Sequence, residues 1–224
     1  MQTKVLAWLQ KIKWLILGIL KPDYFVWSTD EYRDETKFIK SGERDVKRFI
    51  LKDNELKENL QFNHASILEI GCGSGRMTTT LVKKFKIVYA VDISSSMINQ
   101  AKKRLKINKN VRFYLTDGLS FPLNDSSIDL AFSYIVFQHI PDKKAIKKTI
   151  EGVYRVLKPG GKLKAQFRGC PSMGFGIFRY FKWFYGVDFT PEELIILCQS
   201  IGFKVLKIKD GNTKNLWITI QKLI

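Results

Sequence analysis

The chain has 224 residues, which suits one domain with a proper core. Its 38 basic and 21 acidic residues leave a net charge of +17, which fits an anionic partner (nucleic acid, phosphorylated substrate or anionic membrane) as well as a lysine-rich solvated surface. Three scattered cysteines without a C-x-x-C, and only two histidines, argue against a disulfide framework and a metal centre and point to a reducing cytoplasm.

Residues Val5 to Leu20 are mostly apolar and include Trp8 and Trp14. The run is shorter than the roughly 20 residues of a transmembrane helix. Gln10, Lys11 and Lys13 interrupt it, which disfavours a signal peptide. A helix docked on the domain is the reading taken, with an interfacial anchor at the membrane periphery as the alternative. Lys21 to Lys40 is polar with aromatic punctuation at Tyr24, Phe25, Trp27, Tyr32 and Phe38. Ser41-Gly-Glu43 then precedes a helical pattern at Val46, Phe49 and Ile50. Residues 1–44 are therefore set apart as an N-terminal helical or lid segment, and residues 45–224 as the main domain.

The chain is organised around Ile67-Leu-Glu-Ile-Gly-Cys-Gly-Ser-Gly-Arg-Met-Thr78. An apolar run stops at three glycines spaced two apart, and a helical pattern with Met77, Leu81 and Phe85 follows. That pattern predicts a buried strand, a tight turn and a helix whose free N–H groups face the gap. A dinucleotide fingerprint needs G-x-G-x-x-G, and its third glycine is here Arg76. The pattern present is E-x-G-x-G-x-G, and Glu69 suits a cationic ligand rather than a pyrophosphate.

Downstream, strands and helices alternate. Lys86 to Asp92 reads as a strand, followed by a helix capped by Ser94 with Met97, Ala101 and Leu105 on one face. Val111 to Asp117 and Ile128 to Tyr134 are the third and fourth strands. Pro141 is expected to open a helix carrying Ile146, Ile150, Val153, Tyr154 and Leu157, and Lys158-Pro-Gly-Gly161 to end it. Leu163, Ala165 and Phe167 alternate in the fifth strand. Residues 169–189 hold eight aromatic residues, Phe175 to Phe189, and break the rhythm. Thr190-Pro-Glu-Glu193 is a capping box opening a helix closed by Gly202. Phe203 to Lys209 and Asn215 to Gln221 form a hairpin through Asp210-Gly211. Alternating strands and helices imply an α/β, doubly wound, Rossmann-like parallel sheet, with one antiparallel strand from the hairpin.

Glu69 with its three glycines, acids ending strands two and three, Ile128-Asp-Leu130 and Leu157-Lys-Pro-Gly-Gly161 occur here in one order. Over about residues 64–168 this resembles the class I S-adenosylmethionine-dependent methyltransferases, in particular their type 11 group. The resemblance implies seven strands in the order 3-2-1-4-5-7-6 with the last antiparallel. It implies S-adenosyl-L-methionine as cofactor and S-adenosyl-L-homocysteine as product. Gly71, Cys72, Gly73 and Gly75 would carry the methionine part on backbone, with Glu69 holding its ammonium. Asp92 would take the ribose hydroxyls, Asp117-Gly118 the adenine edge, and Ile93 and Met97 the adenine faces. Ser133 and Tyr134 would face the methyl group. His139, in Phe137-Gln-His-Ile-Pro141, is a candidate base, with a cap or cofactor contact as the plainer role. Trp27, Tyr32, Gln138, His139 and Arg168 are the candidate acceptor-side residues, and no metal is expected.

The implied acceptor is a small molecule or lipid-like, with the aromatic stretch and the N-terminal run as a lid. RNA methylation is the rival that the charge suggests, but no Asn/Asp-Pro-Pro-aromatic tetrad follows strand four, where Ser133-Tyr-Ile-Val136 stands. A non-catalytic cofactor-binding protein is the remaining alternative. Monomer and dimer are both left open.

Overall fold

The structure is a computed structural model that describes residues 2–20, 23, 26, 33–169, 186–211 and 213–223. Its strands are β1 (Ser66–Ile70), β2 (Ile87–Asp92), β3 (Val111–Leu115), β4 (Ile128–Ser133), β5 (Leu157–Phe167), β6 (Phe203–Lys209) and β7 (Leu216–Lys222). They form a seven-stranded sheet in the order β3-β2-β1-β4-β5-β7-β6. β7 runs antiparallel to both of its neighbours. This is the expected Rossmann-like order. By packing, the chain falls into two compact units, residues 11–117 and residues 118–224 with 1–10.

In residues 11–117, β1, β2 and β3 are parallel, with Leu68 opposite Tyr89 and Tyr89 opposite Arg112. Every residue of β1 is buried, as a strand covered on both faces requires. The helices are α1 (Gln2–Leu20), of which residues 11–20 belong here, α2 (Glu35–Val46), the one-turn α3 (Asn54–Lys57), the one-turn α4 (Thr78–Leu81) and α5 (Ser95–Arg104). A π-helical turn, Lys47–Leu51, continues α2.

Two expectations are corrected in this unit. Ser41-Gly42 does not precede a helix but lies inside one, because α2 starts earlier, where Asp34 accepts from the Lys37 amide at 3.1 Å. The two small residues are there for close packing: a Cβ on Gly42 would collide with the Arg76 carbonyl. The helix after the glycine turn is a single turn and supplies no long dipole. Thr78, Thr79, Thr80 and Leu81 make it up, and three β-branched residues in a row disfavour extension. Met77, Leu81 and Phe85 are nevertheless buried, as their spacing predicted.

In the other unit, α6 (Lys143–Val156) and α7 (Pro191–Ile201) accompany β4 to β7. Asp142 rather than Pro141 sets the start of α6, accepting from the Lys144 amide at 2.9 Å. Lys158-Pro-Gly-Gly161 is not a gap before β5 but a bulge within it. The register jumps from Ile128 opposite Leu157 to Leu130 opposite Lys162. Glycine is required at the crossing, since a Cβ on Gly161 would sit 2.8 Å from the Lys158 carbonyl and 3.1 Å from that of Ile128. The capping box of Thr190 and Glu193 forms as predicted, and Gly202 ends α7 in the left-handed region at φ 107°. Among the described residues no helix is long and apolar enough to cross a membrane.

Arg76, the residue that breaks the dinucleotide pattern, is 3 % exposed and anchors α2. Its Nη1 donates to Asp45 Oδ2 at 2.7 Å and to Ser41 Oγ at 3.1 Å. Removing one partner of a buried pair strands the other. Arg76→Met should therefore lower unfolding free energy by about 3–5 kcal/mol in urea titrations. The double variant Arg76→Met/Asp45→Leu should recover most of that loss.

Candidate active site

The turn after β1 is stitched to the neighbouring strand before any ligand is considered. The amides of Gly71 and Cys72 both donate to the Val91 carbonyl, at 2.8 and 3.0 Å. Gly71, Gly73 and Gly75 have φ of 75°, 54° and 92°, a region costly for residues with a Cβ. Asp92 closes the turn from the end of β2. Its Oδ2 accepts from the Gly73 amide at 2.9 Å and its Oδ1 from the Ser94 amide at 2.9 Å. Burial pushes the Asp92 carboxyl above the usual carboxylate range, against the pull of the Ser94, Gly73 and Ile93 amides.

Glu69 is 5 % exposed and accepts from Thr78 Oγ1 at 2.6 Å. Burial drives its carboxyl up to about 7, outweighing the stabilising Thr78 hydroxyl and Arg76 charge, while Asp92 pushes it further the same way. Two carboxyls held above their ordinary range on one turn favour a ligand that brings positive charge and hydroxyl donors. An amino-acid ammonium and a ribose have that chemistry, so the residues present fit the expected cofactor. Cys72 is buried and adds no thiolate, because burial pushes its thiol up, followed by the charges of Asp92 and Glu69.

Two residues before α2, Asp23 and Val26, and Glu35 of α2 lie against this loop or its anchor. Arg104, at the end of α5, donates through Nη1 to the Ser74 carbonyl. It also donates through Nε and Nη2 to Glu35 at 2.7 and 2.9 Å, and through Nη2 to Asp23 at 3.2 Å. Asp23 in turn accepts from Ser74 Oγ at 2.6 Å. Val26 lies so close that a Cβ on Gly73 would be 2.7 Å from its Cγ2. The C-terminal half of α1 is held as well. Ser94 Oγ donates to the Trp14 carbonyl at 3.0 Å, Ser96 Oγ to that of Leu15 at 3.2 Å, and Gln100 Nε2 to that of Gly18 at 3.1 Å. The docked-helix reading thus holds for residues 14–18. Met97 is 1 % exposed and packs against α1 at Gly18. Ile93 is half-buried and Asp117 exposed. The Thr116 amide donates to the Asp92 carbonyl at 3.0 Å, which sets Asp117 just past that pairing.

In the other unit, Ser133 is fully buried and Tyr134 stacks on Trp217, with centroids 5.5 Å apart at 16°. Thr149 Oγ1 donates to the Gly118 carbonyl at 2.6 Å. His139 is 4 % exposed at the end of a 3-10 turn, Phe137–His139, with Gln138 beside it. Arg168 is engaged by Asp188 at 3.2 Å, which offsets its charge. Trp27 and Tyr32, and most of the aromatic stretch, lie outside the described residues.

Residues 68–165 match the family model described as a methyltransferase domain. These residues are a class I S-adenosylmethionine-dependent methyltransferase domain. The chain is 37 % identical over 101 residues to phosphoethanolamine N-methyltransferase 2 of Caenorhabditis elegans, covering 44 % of this chain and 22 % of that protein. It is 30 % identical over 139 residues to the ubiquinone/menaquinone biosynthesis C-methyltransferase of Rickettsia prowazekii, covering 58 % of this chain and 54 % of that one. The chain thus spans about half or less of the length of these two relatives. The fold matches phosphoethanolamine N-methyltransferase 2 of Haemonchus contortus, solved with phosphomonomethylethanolamine and S-adenosylhomocysteine, at a TM-score of 0.63 and 18 % identity, covering 83 % and 53 % of the two chains. S-adenosylmethionine is accordingly the cofactor of this methyltransferase domain.

Thr78, Asp23, Val26, Arg104 and Gln166 were not anticipated from the sequence. Thr78 carried a faint signal, a hydroxyl one turn past the glycines. Arg104 carried none, because its partners are 30 to 81 residues away in the chain.

Glu69 gives the site a pH signature. Its carboxyl titrates near 4.5 when unfolded and near 7 when folded, so the folded state holds the extra proton between those values. The contribution is fullest below pH 4.5 and is lost as pH rises through 7. Relative to Glu69→Gln, the cofactor-free protein should lose about 3 kcal/mol over that range, read by urea unfolding at a series of pH values.

Proposed function

We propose that this protein transfers the methyl group of S-adenosylmethionine to a small-molecule or lipid-like acceptor. The observation that carries the reading is the cradle itself, in which three left-handed glycines follow β1, Asp92 holds the amide of the middle one, and Glu69 lies buried just before them. When bound, the cofactor supplies an electrophilic methyl whose sulfur leaves without acid assistance. The chain's own task is then to bind, orient and exclude water. Glu69 would accept from the ammonium and Asp92 from the ribose hydroxyls, while the Asp23–Arg104–Glu35 network holds the loop from outside. The relatives named for phosphoethanolamine and for ubiquinone/menaquinone support an acceptor of small size, with polar and lipid-like members both represented.

A lipid-like acceptor is favoured by α1. Trp8, Leu9, Ile16, Ile19 and Leu20 are 50–67 % exposed, more than half of the large exposed apolar residues described. At 100° per residue they fall within one arc of about 120° on the helix. Lys11 and Lys13 flank that arc. An apolar stripe with basic borders, on a chain of net charge +17, fits an anionic membrane surface, where each lysine adds about 1 kcal/mol.

Calorimetry should show binding of S-adenosylmethionine and S-adenosylhomocysteine and none of NAD. Asp92→Ala should weaken that binding by about 1.5–3 kcal/mol, the scale of charged hydrogen bonds. Tight NAD binding without a response to S-adenosylhomocysteine would overturn the reading. For the acceptor, the full chain should float with liposomes containing phosphatidylserine at low salt, and Ile16→Glu/Ile19→Glu should not. If the full chain stays in the soluble fraction and labelled methyl passes to RNA or to small polar acceptors instead, the lipid reading falls and methyl transfer stands.

A further inference from the structure

Residues 79–116 hold nine basic residues and one acid, so about a sixth of the chain carries +8 of its +17 net charge. The acid, Asp92, ends β2 beside the glycine turn. Six of the cations gather at the opposite end of the sheet, around the starts of β2 and β3. Lys83, Lys84 and Lys86 stand on the loop into β2, Lys106 and Lys109 on the turn into β3, and Arg112 on β3 itself, and all six are exposed. Asn110 ties the two connections together. Its Nδ2 donates to the Val82 carbonyl at 2.8 Å and to the Phe85 carbonyl at 3.1 Å, and its own carbonyl accepts from the Val88 amide at 2.8 Å. Among the described residues none of the six makes an ion pair. Elsewhere Lys143, Arg155 and Lys158 each hold a carboxylate within 2.8 Å. Cations held together without counter-charges raise the local positive potential, which an anionic surface relieves.

Ile107 gives the chemistry of that surface. It stands between Lys106 and Lys109 and is 81 % exposed, the most exposed of the large apolar residues described. A phosphate backbone offers such a side chain nothing, whereas the acyl boundary of a bilayer buries it. The rings on the same strands, Tyr89 and Tyr114, are half-buried and stack with centroids 6.5 Å apart, so their faces are turned to each other rather than to a base. The end of α1 adds to the apolar side. Trp14, Leu15 and Gly18 pair in ascending order with Ser94, Ser96 and Gln100, so α1 and α5 run in the same direction. Ile19 and Leu20, each 67 % exposed, therefore end beside the last turn of α5, and Lys106 and Ile107 follow that turn.

We propose that the α4–β2 and α5–β3 connections form a docking site for an anionic membrane, in which the basic residues bind lipid headgroups and Ile107 enters the acyl boundary. The site lies at the end of the sheet away from the glycine turn, so it holds the protein on the bilayer and takes no part in cofactor binding. It rests on the lipid-like reading of the acceptor and adds a second contact to the α1 stripe. Stable peripheral attachment takes an apolar and a polybasic signal together, and the stripe and this patch supply one each.

The test is sedimentation of the full chain with phosphatidylcholine vesicles containing phosphatidylserine, at low and high salt. The native chain should bind. Lys83→Glu/Lys106→Glu/Lys109→Glu should bind about 100-fold more weakly at low salt, at about five-fold for each lysine near the surface. Ile107→Ser should weaken binding about ten-fold and still do so at high salt, where the lysines are screened. The triple variant should bind S-adenosylhomocysteine in calorimetry as the native chain does, because none of its three positions belongs to the cofactor cradle. Equal vesicle binding by the native chain and the triple variant would overturn the proposal and leave α1 as the membrane contact. Loss of single-stranded RNA binding in the triple variant, with vesicle binding kept, would overturn it in favour of nucleic acid. A native chain that ignores the vesicles would remove this site and the lipid reading together, while S-adenosylhomocysteine binding still decides the cofactor separately.

Discussion

Everything on the cofactor side depends on how Asp92 holds the glycine turn. Three consecutive alternate residues in the left-handed region would leave a loop with many conformations to lose on binding. The Asp92 carboxylate removes much of that freedom by accepting from the Gly73 amide, and the Val91 carbonyl removes more by taking the amides of Gly71 and Cys72. The carboxylate is itself fixed by the Ser94 amide at the start of α5. Strand, turn and helix are therefore locked by one acid, and its remaining lone pairs are available to the ligand. A preformed cradle of this kind lowers the ordering cost of binding.

Two arginines then bind the turn to what precedes it. Arg76 reaches back to α2, and Arg104 ties Ser74 to Glu35 and Asp23. Their settings differ and so do their energetics. Arg76 is almost wholly buried with Asp45, so the pair is costly to break and modest in net gain. Arg104 is 14 % exposed, while its partner Glu35 is 61 % exposed, so solvent screens that contact. Asp23 and Val26 sit against Ser74 and Gly73, which makes these two residues part of the cradle's wall.

The segment that follows β4 is built on a different principle. No charge organises it among the bonds to Gln166. A neutral carboxamide does: Gln166 accepts from the Ile135 amide and donates to the Phe167 and Lys214 carbonyls, which ties the backbone after β4 to β5 and to the approach to β7. The aromatic layer nearby, with Tyr134 and Phe132 stacked on Trp217, supplies rigidity without polarity.

The strand positions, the glycine turn, the capping box at Thr190, Glu69 just before the turn and the acid ending β2 were legible in the residues alone. Each depends on local chemistry: short apolar runs, positive φ, or a side chain bonding its own helix end. The family pattern supplied the strand order, which no periodicity carries. The tertiary structure decided the rest. Lys158-Pro-Gly-Gly161 became a bulge because β4 needed to keep pairing past it, and Ser41-Gly42 became a helix interior because Arg76 packs against it. Arg104 and Gln166 acquired their roles only once partners distant in sequence were brought within hydrogen-bond reach. Local patterns fix which backbone shapes a segment can adopt; only the packed chain fixes which buried polar group meets which, because that depends on three-dimensional neighbours and on the cost of leaving any of them unpaired.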